Sequence, residues 1–305
     1  MTNRLLLFIL FSSLTACSNS ANETEIKDAG ILSSYQLVKD WPQLPLGYST
    51  GSPAGIGIDS NQHIFIFTRA GREWPLLMPM PATLISGKTI LEVDNKTGEL
   101  INSWGAHFFI MPHGLTVDMN NNIWVTDAGL HQVFKFSHAG KLLMELGTAG
   151  VAGDDSVHFN QPTDVAIAKD GSVYVSDGYG NSRVVKFSPE GKYVLQWGKK
   201  GNGPGEFNIP HAIDLDDNGG VYVADRQNQR IQVFDSSGHF LKELTNKSFG
   251  NLCSIVFDKK EKHVIAVDDL TSFEVKHTGS DVIVFDSTET SFKRFGRSGG
   301  YDGAV

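Results

Sequence analysis

Cysteine is nearly absent from this chain: Cys17 and Cys253 are the only two among 305 residues. A disulfide-stapled fold is thereby excluded, and stability must come from packing. Basic charge is also scarce. Lys and Arg number 26 against 34 Asp and Glu, giving a net charge of −8 at pH 7, which argues against a nucleic-acid partner. The apolar run Leu5–Leu14 is too short to span a bilayer as a helix. No segment shows sustained helical periodicity either. What remains is a globular composition, 40% hydrophobic and 20% charged, with 32 glycines that predict many tight turns.

The first residues read as an address. Arg4 precedes the apolar run, as in a signal peptide over residues 1–16. Leu14-Thr15-Ala16-Cys17 resembles the bacterial lipobox. That resemblance implies lipidation at Cys17 and a membrane anchor. Ser18 rather than Asp follows the cysteine, implying the outer membrane of the cell envelope, facing the periplasm. Residues 17–34, rich in Ser, Asn and Glu, are expected to be a flexible tether, and residues 35–305 the folded, monomeric body.

That body repeats. Segments starting at Pro112, Pro162 and Pro210 align, about 50 residues apart. Second strands are predicted at Ile123–Asp127, Val173–Asp177 and Val221–Asp225, and third strands at Gln132–Phe136, Arg183–Phe187 and Arg230–Phe234. Fourth strands follow at Lys141–Leu146, Lys192–Trp197 and His239–Leu244. Weaker copies flank these, so five units are visible near residues 53–105, 112–147, 162–197, 210–245 and 252–296. The first carries an insertion, Glu73–Gly87. Four short strands per unit predict an all-β propeller, and the loop Gly198–Phe207 resembles the blade linkers of NHL repeats.

In a propeller, equivalent positions of different blades converge at one mouth of the channel. One such phase holds Ala54, His113, Thr163, His211 and Cys253. Two histidines in alternate blades suit part of a zinc site with an open position, while a His after Pro also serves merely to cap a turn. Just past the second strands, Arg69 and Arg226 are equivalent, with Tyr179 nearby in phase. An arginine can lower a phenol pKa and make the tyrosine a general base; a second can hold a substrate carboxylate. The plainer alternative is inter-blade ion pairs and a rim aromatic.

Phe108–Leu115, Thr126–Lys135, Gln161–Ala166, Val175–Arg183 and Val223–Arg226 together resemble peptidyl-α-hydroxyglycine α-amidating lyase, over a span from about Ile56 to about Gly296. The resemblance implies a six-bladed propeller that cleaves a peptidyl-α-hydroxyglycine into a peptide amide and glyoxylate. It implies His113 and His211 as two of three zinc ligands, Tyr179 as the catalytic tyrosine, and Arg69 and Arg226 as active-site arginines. A structural calcium would be held partly by the backbone carbonyls of Ile56 and Leu115. The third zinc histidine and a calcium-binding aspartate of that family lie in a later Met-Pro-His-Asp motif. This sequence reaches Gly299–Val305 where that motif would begin, so the expectation is six blades with the last incomplete. Tyr35–Trp41 is expected to lend that blade a strand, and Cys253 is read as a small buried residue. A relative acting on another α-hydroxy-amide fits the same residues. A non-catalytic NHL propeller that binds a protein or ligand at the envelope is the competing function.

Overall fold

The computed structural model describes residues 24–31, 38–48, 50–74, 79–269 and 280–296. The leader, the lipobox with Cys17, and Gly299–Val305 lie outside the described residues. Two short strands come first, β1 (Thr24–Glu25) and β2 (Lys27–Ile31). Five four-stranded antiparallel blades follow in chain order. Blade 1 is β3 (Pro53–Ile58), β4 (His63–Thr68), β5 (Ile90–Asp94) and β6 (Leu100–Trp104). Blade 2 is β7 (Pro112–Val117), β8 (Ile123–Asp127), β9 (Gln132–Phe136) and β10 (Leu142–Leu146). Blade 3 is β11 (Asp164–Ile167), β12 (Val173–Asp177), β13 (Arg183–Phe187) and β14 (Tyr193–Trp197). Blade 4 is β15 (Pro210–Leu215), β16 (Val221–Asp225), β17 (Arg230–Phe234) and β18 (Phe240–Thr245). Blade 5 is β19 (Asn251–Asp258), β20 (His263–Asp269), β21 (Val282–Phe285) and β22 (Ser291–Phe295). One 3₁₀ turn, Arg226–Asn228, is the only helical element among the described residues.

The second and third strands of the three clear repeats coincide residue for residue with the sequence reading. Their composition explains this. Segments such as Val173-Tyr174-Val175 are β-branched and aromatic, and β8, β12 and β16 are buried at every position because a blade covers each face. Tight turns close the hairpins. Gly238, with φ +81°, turns β17 into β18 against the Trp197 ring, where an added Cβ would lie 2.7 Å from the indole.

The core lies between blades. Phe67, Phe109 and Phe134 fill the seam of blades 1 and 2, with Phe109 edge-to-face on both neighbours at 4.9 and 5.7 Å between centroids. Trp124, Phe159 and Phe187 fill the next seam; Tyr174, Phe207 and Phe234 the third; Tyr222, Phe249 and Phe285 the fourth. In blades 2 to 5 a buried aspartate at or next to the end of the second strand fixes the linker that enters its blade. Asp127 accepts the amides of Ile110 and Met111, Asp177 that of Asn160, Asp225 that of Asn208 and Asp268 that of Gly250. In blade 1 Thr68 replaces the aspartate and donates its hydroxyl to the Thr50 carbonyl.

The described residues bear on three expectations. The described residues form five blades, and no sixth is among them. Residues 24–31, expected within a flexible tether, form strands: β1 pairs parallel with β18 and β2 with β22. They satisfy the outer edges of blades 4 and 5, and Ile26 is buried beside Leu244 and Phe292. Of Tyr35–Trp41, Tyr35–Leu37 lie outside the described residues, and Val38–Trp41 form no strand. Trp41 and Leu44 instead pack on Ile66, Leu91 and Val93 of blade 1.

Candidate active site

The inner strands start, and the second strands finish, at the same mouth: Pro112 pairs with Asp127 and Pro210 with Asp225. His113 and His211 therefore open β7 and β15 beside Tyr179, which follows β12. His113 Nε2 lies 3.1 Å from the Tyr179 hydroxyl and His211 Nε2 lies 2.8 Å from it. The two imidazole centroids are 4.8 Å apart.

Each histidine is aimed by the next blade. His113 Nδ1–H donates to the Thr163 carbonyl at 2.6 Å, and His211 Nδ1–H donates to the Cys253 carbonyl at 2.7 Å. Thr163 and Cys253 hold the histidines' own repeat phase one blade onward. A carbonyl only accepts, so Nδ1 carries the proton and Nε2 presents a bare lone pair. Burial drives both imidazoles to the neutral form, His211 down to about 4 and His113 well below its usual value.

The two arginines differ in their partners. Arg69 donates Nε–H to the Pro112 carbonyl at 3.1 Å and stacks 5.3 Å over Trp74. Among the described residues no carboxylate lies within ion-pair distance of it. Arg226 Nη2 lies 3.5 Å from Asp269 Oδ2, and its Nε lies 3.5 Å from Cys253 Sγ. Burial pushes the Tyr179 phenol up to about 12 against the opposing pull of Arg226 and then Arg69. The sequence reading expected a lowered value. The arginines do act in that direction, and burial outweighs them.

Two residues had no functional reading in the sequence. Trp74, from the insertion, packs 4.7 Å from the Tyr179 ring and 5.9 Å from His113, covering the pocket. Only the insertion's unusual position hinted at it. Cys253 is half-buried rather than fully buried, and its carbonyl and thiol face His211 and Arg226. Burial raises its thiol pKa. Ile56 and Leu115 sit on the adjacent inner strands β3 and β7. Gly55 and Gly57 permit that approach: a Cβ on Gly55 would lie 2.5 Å from the Leu115 nitrogen.

The donor set tests whether a cation suits this pocket. Two neutral imidazoles bring two Nε2 lone pairs to one phenol, which has a single proton to donate. One lone pair is left facing an oxygen, a surplus that a cation relieves. The residues present fit a metal at this point. A separate four-residue group able to hold a metal, Asp59, His63, Glu92 and His138, lies elsewhere in the fold.

Fold and site together define an NHL-type β-propeller with a His–Tyr–His pocket at one mouth. An NHL-repeat model matches residues 109–136, and a family described as a 6-bladed beta-propeller matches residues 151–265. The chain is a homologue of proteins named as amidating enzymes. It is 41% identical over 197 residues to the probable peptidyl-alpha-hydroxyglycine alpha-amidating lyase pgal-1 of Caenorhabditis elegans, covering 61% of this chain and 56% of that protein. It is 39% identical over 227 residues to peptidyl-glycine alpha-amidating monooxygenase B of Xenopus laevis, covering 69% of this chain and 26% of that protein. The chain thus spans about a quarter of the monooxygenase and about half of the nematode lyase. In fold it is similar to a chain of the nidogen/laminin complex, with TM-score 0.59 at 13% identity over 81% of this chain and 80% of that one.

Proposed function

We propose that this chain is a zinc-dependent carbon–nitrogen lyase that cleaves peptidyl-α-hydroxyglycine, or a related α-hydroxy-amide, to an amide and glyoxylate. The observation that carries the reading is the convergence of His113 Nε2 and His211 Nε2 on the Tyr179 hydroxyl at 3.1 and 2.8 Å, in a homologue of proteins bearing that lyase name. His113 and His211 would hold the zinc, which when bound supplies Lewis-acid polarisation of the substrate hydroxyl. Tyr179 Oη takes the hydroxyl proton as the phenolate, after its own proton has left to solvent, with Arg226 exerting the stronger pull of the two arginines toward that form. Arg69, without a carboxylate partner among the described residues, receives the substrate carboxylate. Trp74 excludes water from one face. Loss of the proton lets the carbon–oxygen bond become a carbonyl as the amide nitrogen leaves with the electron pair of the carbon–nitrogen bond, and Tyr179 Oη returns the proton to that nitrogen, giving the primary amide and glyoxylate.

The same reading includes a sixth blade, a calcium held by the carbonyls of Ile56 and Leu115, and a lipid anchor at Cys17. The faces of blades 1 and 5 support the sixth blade. Ile56 and Ile58, opposite the glycine face of β3, are 65% and 51% exposed, and Val256 of β19 is 47% exposed. These apolar inner-strand faces suit a further blade between them. No helix among the described residues is long and apolar enough to cross a membrane, so attachment to the outer membrane rests on the Leu14–Cys17 motif.

A second reading, a non-catalytic NHL propeller that binds a partner at the envelope, is favoured by one observation: among the described residues, two histidines and no third ligand meet at the pocket. One experiment separates the two. Purified protein is analysed for zinc and assayed for glyoxylate release from a synthetic peptidyl-α-hydroxyglycine. Release that falls about 100-fold or more in His113→Ala and Tyr179→Phe supports the lyase. No zinc, and release indifferent to both changes, sinks it.

A further inference from the structure

At the opposite mouth, a second cluster departs from the repeat that surrounds it. Asp59 follows β3, His63 opens β4, Glu92 lies in β5 and His138 follows β9 of the next blade. One donor atom from each lies within 4.8 Å of all the others. His63 Nδ1 is 2.9 Å from Glu92 Oε1 and 3.7 Å from Asp59 Oδ2; His138 Nε2 is 2.9 Å from Asp59 Oδ2 and 3.6 Å from Glu92 Oε1. Six residues of extended chain separate His63 from Arg69, roughly 20 Å at 3.3 Å per residue, so this is not the His113–His211 pocket.

The other blades show what ordinarily occupies these positions. Phe65 pairs with Glu92, as Trp124 pairs with Lys135 and Tyr174 with Lys186. There the lysines stack over the aromatic rings at 5.0 and 4.9 Å. Lys186 and Tyr174 also reach the next blade by donating to the Ser236 carbonyl. Blade 1 replaces the lysine with glutamate, and blade 2 places His138 at the phase of Ser236. Asp59 also differs in use from its repeat equivalent. Asp118 Oδ2 accepts from the indole of Trp124. Phe65 has no such donor, so Asp59 Oδ2 turns to the histidines while Oδ1 takes the amides of Asn61 and His63.

The charges make the arrangement costly as it stands. The side chains of Asp59 and Glu92 are 0% and 3% exposed, and both lie against the same two imidazoles. Two buried carboxylates need two protons on those rings or one divalent cation. We propose that Asp59, His63, Glu92 and His138 form a site for a divalent first-row transition metal of the zinc type, clamping blade 1 to blade 2. Two imidazoles and two carboxylates match that class. A tetrahedral ion with bonds of about 2.0–2.1 Å sets its ligand atoms roughly 3.3 Å apart. The four histidine-to-carboxylate separations, 2.9 to 3.7 Å, bracket that figure. Solvent reaches the cluster through His63 and His138, 28% and 37% exposed, so an ion has an entry path. Phe65, 5.3 Å from the His138 ring, walls the opposite side.

The test uses the whole protein, stripped with a chelator and titrated with Zn²⁺ or Co²⁺. The double variant His113→Ala/His211→Ala, which disables the other pocket, is expected to retain one equivalent of zinc, to unfold at a higher temperature with zinc than without, and to give visible tetrahedral Co²⁺ absorption. The variant His138→Gln, in a half-exposed turn, is expected to lose this equivalent at least about 10-fold in affinity while keeping its circular dichroism. Glu92→Gln checks the same loss from the other blade. A folded His113→Ala/His211→Ala protein that binds no zinc would overturn the proposal, as would zinc binding unchanged by His138→Gln and Glu92→Gln together.

Discussion

His113 donates its Nδ1–H to the carbonyl of Thr163 at 2.6 Å, the residue of its own repeat phase one blade onward. The same relation ties His211 to Cys253 at 2.7 Å. Each ring is therefore held by the blade that follows it, and both Nε2 atoms point at Tyr179. His113→Gln or His211→Gln presents an amide where a bare imidazole nitrogen stood. Zinc affinity at this mouth is expected to fall about 100-fold or more in either variant, read by metal titration in a protein that also carries His138→Gln.

Arg69 and Arg226 should separate kinetically. Arg69→Ala is expected to raise KM for an α-hydroxyglycine substrate about 10- to 100-fold with a smaller change in kcat, because it removes a carboxylate partner. Arg226→Ala is expected to act mainly on kcat, since Arg226 exerts the larger pull on the Tyr179 phenol. The reverse pattern would exchange their roles.

Asp164 gives a pH dependence with a defined sign. Burial pushes its carboxyl up to about 7 from 3.8. The folded protein binds that proton more tightly than the unfolded chain does. The stability it contributes is fully present below about pH 4 and is lost as pH rises to about 7, at roughly 1.4 kcal/mol per pH unit. Asp164→Asn sacrifices an acceptor for the Ile213 amide, so its absolute stability is not the readout. Denaturant titrations between pH 4 and 7 should show wild-type stability falling more steeply than that of the variant. Parallel curves would refute the assignment.

The seam between blades 1 and 2 carries the linker into the site. Phe109 is fully buried there, two residues before Met111, whose amide Asp127 holds. Phe109→Ala is expected to cost about 3–5 kcal/mol by denaturant unfolding.

Asp225 is buried against Arg230 at 2.9 Å and also holds the Asn208 amide. Asp225→Ala strands the guanidinium and is expected to cost about 3–5 kcal/mol. Loss of less than about 1 kcal/mol would mean that Glu243, 2.7 Å from Arg230, suffices alone.

The strands were legible because their signals are local. Val173-Tyr174-Val175 alternates with turn residues in any context, and the repeat phase aligned His113, Thr163, His211 and Cys253 without a structure. Phase also indicated that Tyr179, Arg69 and Arg226 share a mouth, since antiparallel strands return to the same end. The covering role of Trp74 was not legible, because an insertion has no repeat phase. The strands at 24–31 were missed because a polar segment pairs only where β18 and β22 leave edges to satisfy. The sequence by itself determined the period, the strands and the residues that meet. Only the tertiary structure decided their chemical states. Burial, set by neighbouring blades, makes the histidines neutral and the Tyr179 phenol a weak acid, and backbone carbonyls of the next blade select the tautomer. The Asp59–His63–Glu92–His138 group likewise exists only across two blades, where packing brings four separated side chains within one ion's reach.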